Sequence, residues 1–359
     1  MLTLKIWTEL LPGAGEDAPP LLVLHPPQGL MAVSDGLGGS GSMQYEVGEE
    51  VVTGAYLASR AVMQSLEALT GQPDFWTSTD RSAALDAAAR QAIEALVEKH
   101  GAQASRLKGG LVRKFPATLT VLSWQRQANG FLDVQVHNAG DSRAWLLHPV
   151  AGLQCLTRDD AAGYPDALQH LHDGAPMTQV ICADHPWTLR HNALALEPDV
   201  LLICGSDGCF DYLRHPAEWE WMLLDTLMRS SSAEEWQKLL HDALTAIASD
   251  DVSLLLAAPD GAPMEALKQR FASRHIWLQN HVLPVLEQLP SLEQAAASVL
   301  KAELWATYRT EYEKLMPPIP AEEEKAPEPN VETKEASGNA VDIPIQDGDA
   351  VDPKEVKDE

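Results

Sequence analysis

Residues 117–158 read ATLTVLSWQRQANGFLDVQVHNAGDSRAWLLHPVAGLQCLTR. Val, Leu, Thr, Phe and Trp gather in short runs, and Asn-Gly, Gly-Asp and Ala-Gly separate them. β-branched and aromatic runs broken at glycine, asparagine and aspartate predict strands joined by tight turns, that is, an antiparallel meander. Upstream, Leu2, Leu4 and Ile6 alternate as in a strand that stops at Pro12 and Gly13. LLVLH (21–25) and LMAVS (30–34) have strand length. After the loop DGLGGSGS, Val47, Val51, Ala55, Ala58, Val62, Leu66 and Leu69 recur at steps of three and four, which predicts a helix. Leu85, Ala89, Ala92 and Leu96 predict a second one over 82–98.

Downstream, residues 159–197 are rich in His, Asp and Pro and read as an irregular excursion over one edge of the domain. VLLICGSDG (200–208) reads as a buried strand entering a turn. Ser232 with Glu235 predicts a capping box for a helix to about residue 247. DDVSLLLAAP then returns as a strand. After Pro259 the pattern is helical over 262–289 and 291–315, with Ser291 and Gln294 as a second capping box. Beyond Pro317 too few apolar residues remain to offset the entropy of ordering, which predicts disorder. The expected layout is a mixed α+β domain over 1–259, a helical extension over 260–316 and an acidic tail over 317–359. No internal repeat is visible.

The chain has 359 residues, 45% of them hydrophobic, enough for a proper core. Its formal charge is −26; residues 317–359 hold 13 Asp and Glu against 4 Lys, so −9 lies there and −17 on the rest. An acidic body argues against nucleic acid as a partner, because phosphate backbones are held by lysine and arginine. No apolar run approaches the ~20 residues needed to cross a bilayer, and the first residues do not read as a signal peptide. Four cysteines without CxxC spacing fit a reduced, cytoplasmic compartment.

Three aspartates share one context. Asp35 follows LMAVS, Asp207 follows VLLICGS, and Asp250 precedes VSLLLA; the first two are followed by glycine. A carboxylate at the end of a buried strand, beside a glycine that admits a close ligand, is well placed to point into a site. Glu16-Asp17 precede the second strand, and Asp141 lies in the turn NAGDSR. Converging carboxylates with no His or Cys at the same strand ends suit hard cations such as Mg2+ or Mn2+. Asp-Gly after a strand is also an ordinary turn, and for any one of these motifs alone the turn is the better reading.

Together, these segments resemble the protein phosphatase 2C family of metal-dependent serine/threonine phosphatases. AVSDGLGGSGS looks like its ADGMGG segment, and VHNAGDSRAWLL with LTRDD is similar to NxGDSRxYL…LTxDH. VLLICGSDGCFDYL resembles LLLCSDGLxDxL, and SDDVSLLLA resembles SDNxTxxxV. GEDA (15–18) and FPATLTVL (115–122) are weaker matches, and the likeness spans residues 1–259. The resemblance implies a four-layer α-β-β-α sandwich of two antiparallel sheets flanked by helices. It implies two Mn2+ or Mg2+ ions, with Asp35 bridging them and the Gly36 carbonyl and Glu16 on one. Asp207 and Asp250 would serve the other ion, and Asp141 a further, weaker site. The implied reaction is attack of a metal-bridging hydroxide on phosphoserine or phosphothreonine of a protein, with Asp35 and Asp207 at its centre. A cognate serine/threonine kinase would supply the substrate, and the chain is expected to act as a monomer.

The pattern departs from the family in the substrate shell. The arginine expected four residues before the acidic Glu16 is Pro12, and bidentate phosphate binding needs another arginine or lysine. KGGLVRK (Lys108, Arg113, Lys114) is the nearest basic stretch, although solvated loop charges are the ordinary reading. Leu37 and Ser40 stand where a leaving-group histidine is found in some members, and Asp160 replaces the histidine of LTxDH. The rival function is a pseudophosphatase that keeps the metals as a stabilising element of a binding module. A scaffold role would explain the tail but not the ordered carboxylates. His170, His172, His185 and His191 have no standard zinc spacing. Cys204 and Cys209 read as buried hydrophobes, Trp219, Trp221 and Trp236 as packing, and Arg143 as half of a structural ion pair.

Overall fold

Twelve strands form among the described residues: β1 (Thr3–Thr8), β2 (Leu21–His25), β3 (Gln28–Val33), β4 (Gln44–Val47), β5 (Glu50–Thr53), β6 (Leu119–Arg126), β7 (Leu132–Ala139), β8 (Arg143–His148), β9 (Gly152–Cys155), β10 (Arg190–Leu196), β11 (Leu201–Gly205) and β12 (Val252–Ala257). The helices are α1 (Gly54–Thr70), α2 (Pro73–Thr77), α3 (Arg81–His100), α4 (Ala167–Asp173), α5 (Pro216–Arg229), α6 (Ala233–Thr245), α7 (Met264–His281), α8 (Leu283–Gln288) and α9 (Gln294–Tyr312). This computed structural model describes residues 1–78, 80–100, 113–163, 166–173 and 176–319, with backbone only at His172 and Asp173. Lys108, the His172 side chain and the tail from residue 320 onward lie outside the described residues.

Two five-stranded antiparallel sheets carry the fold, in the orders β1-β12-β11-β8-β9 and β10-β7-β6-β3-β2. Alternate residues of the buried strands face opposite sides, and both sides are apolar. Met31, Val33, Ala144, Leu146, Leu202, Cys204, Leu255 and Ala257 meet between the sheets. Leu30 and Ala32 face outward onto Val62, Leu66, Leu85 and Ala89 of α1 and α3. Trp145, Leu147, Ile203, Leu254 and Leu256 face outward onto Trp219, Leu223, Trp236 and Leu240 of α5 and α6. Covering both faces of each sheet explains why these strands read as nearly continuous apolar runs. The α+β four-layer sandwich is therefore the observed architecture.

The segments after residue 259 pack on the outer side of the first sheet, where Phe271, Leu278, Trp305, Tyr308 and Tyr312 join its core cluster. Glu220 of α5, fully buried, accepts from Arg274 of α7 at 2.6 and 2.9 Å and from the Tyr308 hydroxyl of α9 at 2.7 Å. Trp145 Nε1 donates to the Tyr312 hydroxyl at 3.1 Å. No helix among the described residues is long and apolar enough to cross a membrane.

Several local expectations are corrected. The predicted helix from Val47 begins only at Gly54, because Gly48 (φ 66°) turns β4 back onto β5 and Thr53 caps α1 by accepting from Tyr56 N at 3.0 Å. The excursion over 159–197 contains α4 and an edge strand, β10, with alternating exposure. The 117–158 meander is divided: β6 and β7 belong to one sheet, β8 and β9 to the other. Ser232 does cap α6, but the second predicted box fails: Glu293 precedes α9 and the Ser291 hydroxyl donates to Gln288 O instead.

Candidate active site

Asp35 and Asp207 lie just past the ends of β3 and β11, one from each sheet, and Asp141 occupies the turn from β7 to β8. One carboxylate oxygen of each lies within 4.8 Å of the others. Their convergence follows from the chain crossing between sheets at Gly140, whose φ of 93° suits glycine. Thr118 pins the junction: its hydroxyl accepts from Asp35 N at 3.0 Å and bonds the Ser142 hydroxyl at 2.7 Å.

Glu16, Asp35, Gly36, Asp207 and Asp250 line a common cavity of about 480 Å³. Glu16 Oε1 accepts from the Thr53 hydroxyl at 2.5 Å. A Cβ on Gly38 would overlap Glu16 Oε2, so a larger residue there would displace the Glu16 carboxylate. Asp250 is held by its neighbour's amide, Asp251 N to Oδ1 at 2.8 Å. Asp141 lies behind Asp35 and Asp207 rather than in the cavity lining.

Two further acids build the frame. Asp251 accepts from Leu10 N at 2.8 Å, Glu16 N at 2.6 Å and Asp17 N at 3.2 Å, so it shapes the loop that presents Glu16. Asp17, fully enclosed, accepts from the Ser206 hydroxyl at 2.8 Å. In sequence, Asp17 and Asp251 were visible only as neighbours of expected ligands. Asp251 depends on backbone amides more than 200 positions away, and Asp17 on a hydroxyl 189 positions away.

The electrostatics of the bare cluster call for a cation. Burial, followed by the charges of Asp207 and Asp17, pushes the Asp35 carboxyl well above the usual range. Burial and the charges of Asp141 and Asp211 do the same to Asp207. Asp141 is pushed up to about 7 by burial and by Asp159 and Asp211, and Asp17 to about 6, mainly by burial. Glu16 and Asp250 are also raised, in both cases chiefly by burial. Buried Asp141 Oδ1 has no hydrogen-bond partner. An orphaned oxygen within a set of all-oxygen donors that resist ionisation is the chemistry a hard divalent ion satisfies.

The remaining expected residues are distributed as follows. Arg113 lines the same cavity, and its amide donates to Ser40 O at 3.0 Å. It is the only lysine or arginine among the described lining residues. Pro12 does not line the cavity, nor does Lys114, whose amide bonds Asp184. Asp160, in the place of the family histidine, is buried and ion-paired with Arg190, and it accepts from Gly140 N at 3.0 Å. Arg143 pairs with Asp159 at 2.6 Å. The histidines do not gather: His170 lies between Asp159 and Asp211, His191 stacks on His137, and His185 adjoins Asp184. Cys204 and Cys209 are buried, and burial raises both thiols.

A sequence model of the family described as Protein phosphatase 2C matches residues 21–245. A solved bacterial serine phosphatase is similar over 73% of this chain and 99% of its own, at 18% identity and a TM-score of 0.53. The catalytic domain of the serine/threonine phosphatase PstP in complex with two manganese ions matches 71% of this chain and 96% of its own, at 21% identity and a TM-score of 0.47. Stp1 from Staphylococcus aureus matches 72% and 95%, at 17% identity and a TM-score of 0.49. A search of curated proteins gave no significant match.

Proposed function

The chain belongs to the protein phosphatase 2C family, and from that membership we propose that it hydrolyses phosphoserine and phosphothreonine in proteins at the carboxylate cavity. The observation that carries this reading is the meeting of Asp35, Asp141 and Asp207 beside a cavity that Glu16 and Asp250 share. Glu16, Asp35, the Gly36 carbonyl, Asp207 and Asp250 would hold two Mn2+ or Mg2+ ions, and Asp141 a third. When bound, such ions lower the pKa of water and neutralise charge on the phosphate oxygens. The carboxylates fix where that positive charge lies, and Asp251 and Asp17 keep the loops that carry them in register.

We assign the phosphate-binding role to Arg113, which lines the same cavity. A guanidinium there offers paired N–H donors to two phosphate oxygens and orients the ester for in-line attack. This supplies the basic group that Pro12 lacks, and it favours turnover over a purely binding role. We treat residues 260–316 as an extension packed on a catalytic domain of 1–259. A phosphorylated protein is the partner, a serine/threonine kinase its source, and a monomer in the cytoplasm the working form.

The test is hydrolysis of a phosphopeptide and of an aryl phosphate by the full chain, with and without Mn2+ or Mg2+. Stimulated turnover is expected in the wild type, with a loss of at least about a hundredfold in Asp207→Ala, the scale of removing one charge-stabilising group. Wild-type turnover no greater than the variant's would overturn the enzymatic reading and leave the binding module.

A further inference from the structure

Cys182, Asp184 and His185 form a second cluster, on the turn that follows the bridge between Ala117 and Ile181. A thiol sulfur, a carboxylate oxygen and an imidazole nitrogen lie within 4.8 Å of one another. His185 Nδ1 is 3.4 Å from Asp184 Oδ1, and the Cys182 sulfur makes a long contact, 3.7 Å, to His185 O. Cys182 is buried, whereas Asp184 and His185 are exposed above it. A cavity of about 450 Å³ opens over the cluster, and its α3 wall carries Glu94 and Glu98.

We propose that Cys182, Asp184 and His185 bind a thiophilic divalent cation of the Zn2+ class, at a site separate from the carboxylate centre. The donor set makes the distinction. One sulfur, one nitrogen and one oxygen suit zinc, while the all-oxygen cluster around Asp35 suits Mn2+ or Mg2+. Three protein donors leave a fourth tetrahedral position for water. Burial holds the Cys182 thiol above its ordinary value in the metal-free chain. Binding therefore breaks the S–H bond, forms the sulfur–metal bond and releases the proton to solvent.

The cluster is tied to the cavity by backbone pairing. Lys114 N donates to Asp184 Oδ1 at 3.0 Å, Ala183 N to Lys114 O at 2.9 Å, and Ala117 N to Ile181 O at 2.9 Å. Ala117 in turn bridges Gly36. A cation at this turn would clamp both the segment bearing Arg113 and the wall at Thr178–Val180. That consequence for turnover rests on the phosphatase reading; the binding does not.

The test is Co2+ titration of the chelator-treated full chain, followed by absorption. Expected are an intense sulfur-to-cobalt charge-transfer band and tetrahedral d–d bands, both lost on adding Zn2+. The band disappears in Cys182→Ser and persists in Asp207→Asn. His185→Ala, at an exposed side chain that leaves the core intact, weakens cobalt binding at least about tenfold, as loss of even an outer-sphere partner does; it decides the matter if Cys182→Ser does not fold. Absence of a thiolate band in the wild type overturns the proposal. So does a band unchanged in Cys182→Ser, or cobalt held only as weakly absorbing oxygen-ligated ions.

Discussion

At the level of single residues, the cavity pairs one guanidinium with a set of acids. Arg113→Ala is expected to lower kcat/KM for a phosphopeptide about 10- to 100-fold, because a hydrogen-bonded charge contributes roughly 1.5–3 kcal/mol. The loss falls mainly on KM if the arginine holds the phosphate equally in substrate and transition state, and initial-rate kinetics with Arg113→Lys alongside separates charge from bidentate geometry. Equal kinetics in wild type and Arg113→Ala would remove the residue from the site. Asp35, Asp207, Asp250 and Glu16 were legible in sequence because each lies beside a strand signal or a glycine. Arg113 was legible only as a basic stretch; that it lines the acid-bearing cavity depends on the 113–118 segment running beside 181–183.

Among the elements, the buried ionic group joining α5, α7 and α9 determines how the last helices hold to the sheet. Arg274→Ala leaves the fully buried Glu220 with only the Tyr308 hydroxyl. The expected cost is about 3–5 kcal/mol, seen as a lower urea midpoint. Replacing both partners, Arg274→Met with Glu220→Leu, should recover most of it, since no uncompensated charge remains. A fully additive double variant would refute that account. The strands with both faces apolar were readable as such, whereas β10 was not, because its alternation RHNALAL sits in a polar, proline-containing surround. Val47 and Val51 fit a helical step of four, yet they lie on paired strands. Periodicity over two positions cannot separate a hairpin from a helix start, and Gly48 made the difference.

For the whole molecule, the carboxylate cluster couples stability to pH and to metal. The folded-state values of Asp17, about 6, and Asp141, about 7, lie above the unfolded value of 3.8. The folded chain therefore binds more protons between roughly pH 4 and 7, and the stability this contributes at low pH is lost as pH rises through that window. His137, held down to about 4 by burial, acts in the opposite direction. Metal-free protein is expected to show a smaller acid-side stability gain in Asp141→Asn than in the wild type, by calorimetry at about pH 5.5 and 7.5. Added Mn2+ should raise the wild-type Tm most at the higher pH, where the carboxylates are ionised. A pH profile identical in the two proteins would contradict the burial argument.

The sequence alone determined the class of fold and singled out the acids that line the cavity, because strand-length apolar runs, turn glycines and the acids beside them are local patterns. The tertiary structure decided which acids meet, which merely support, and which basic residue lines the same cavity. Those outcomes depend on the β7–β8 crossover between sheets and on amide contacts spanning most of the chain. Neither leaves a periodic trace in the order of residues.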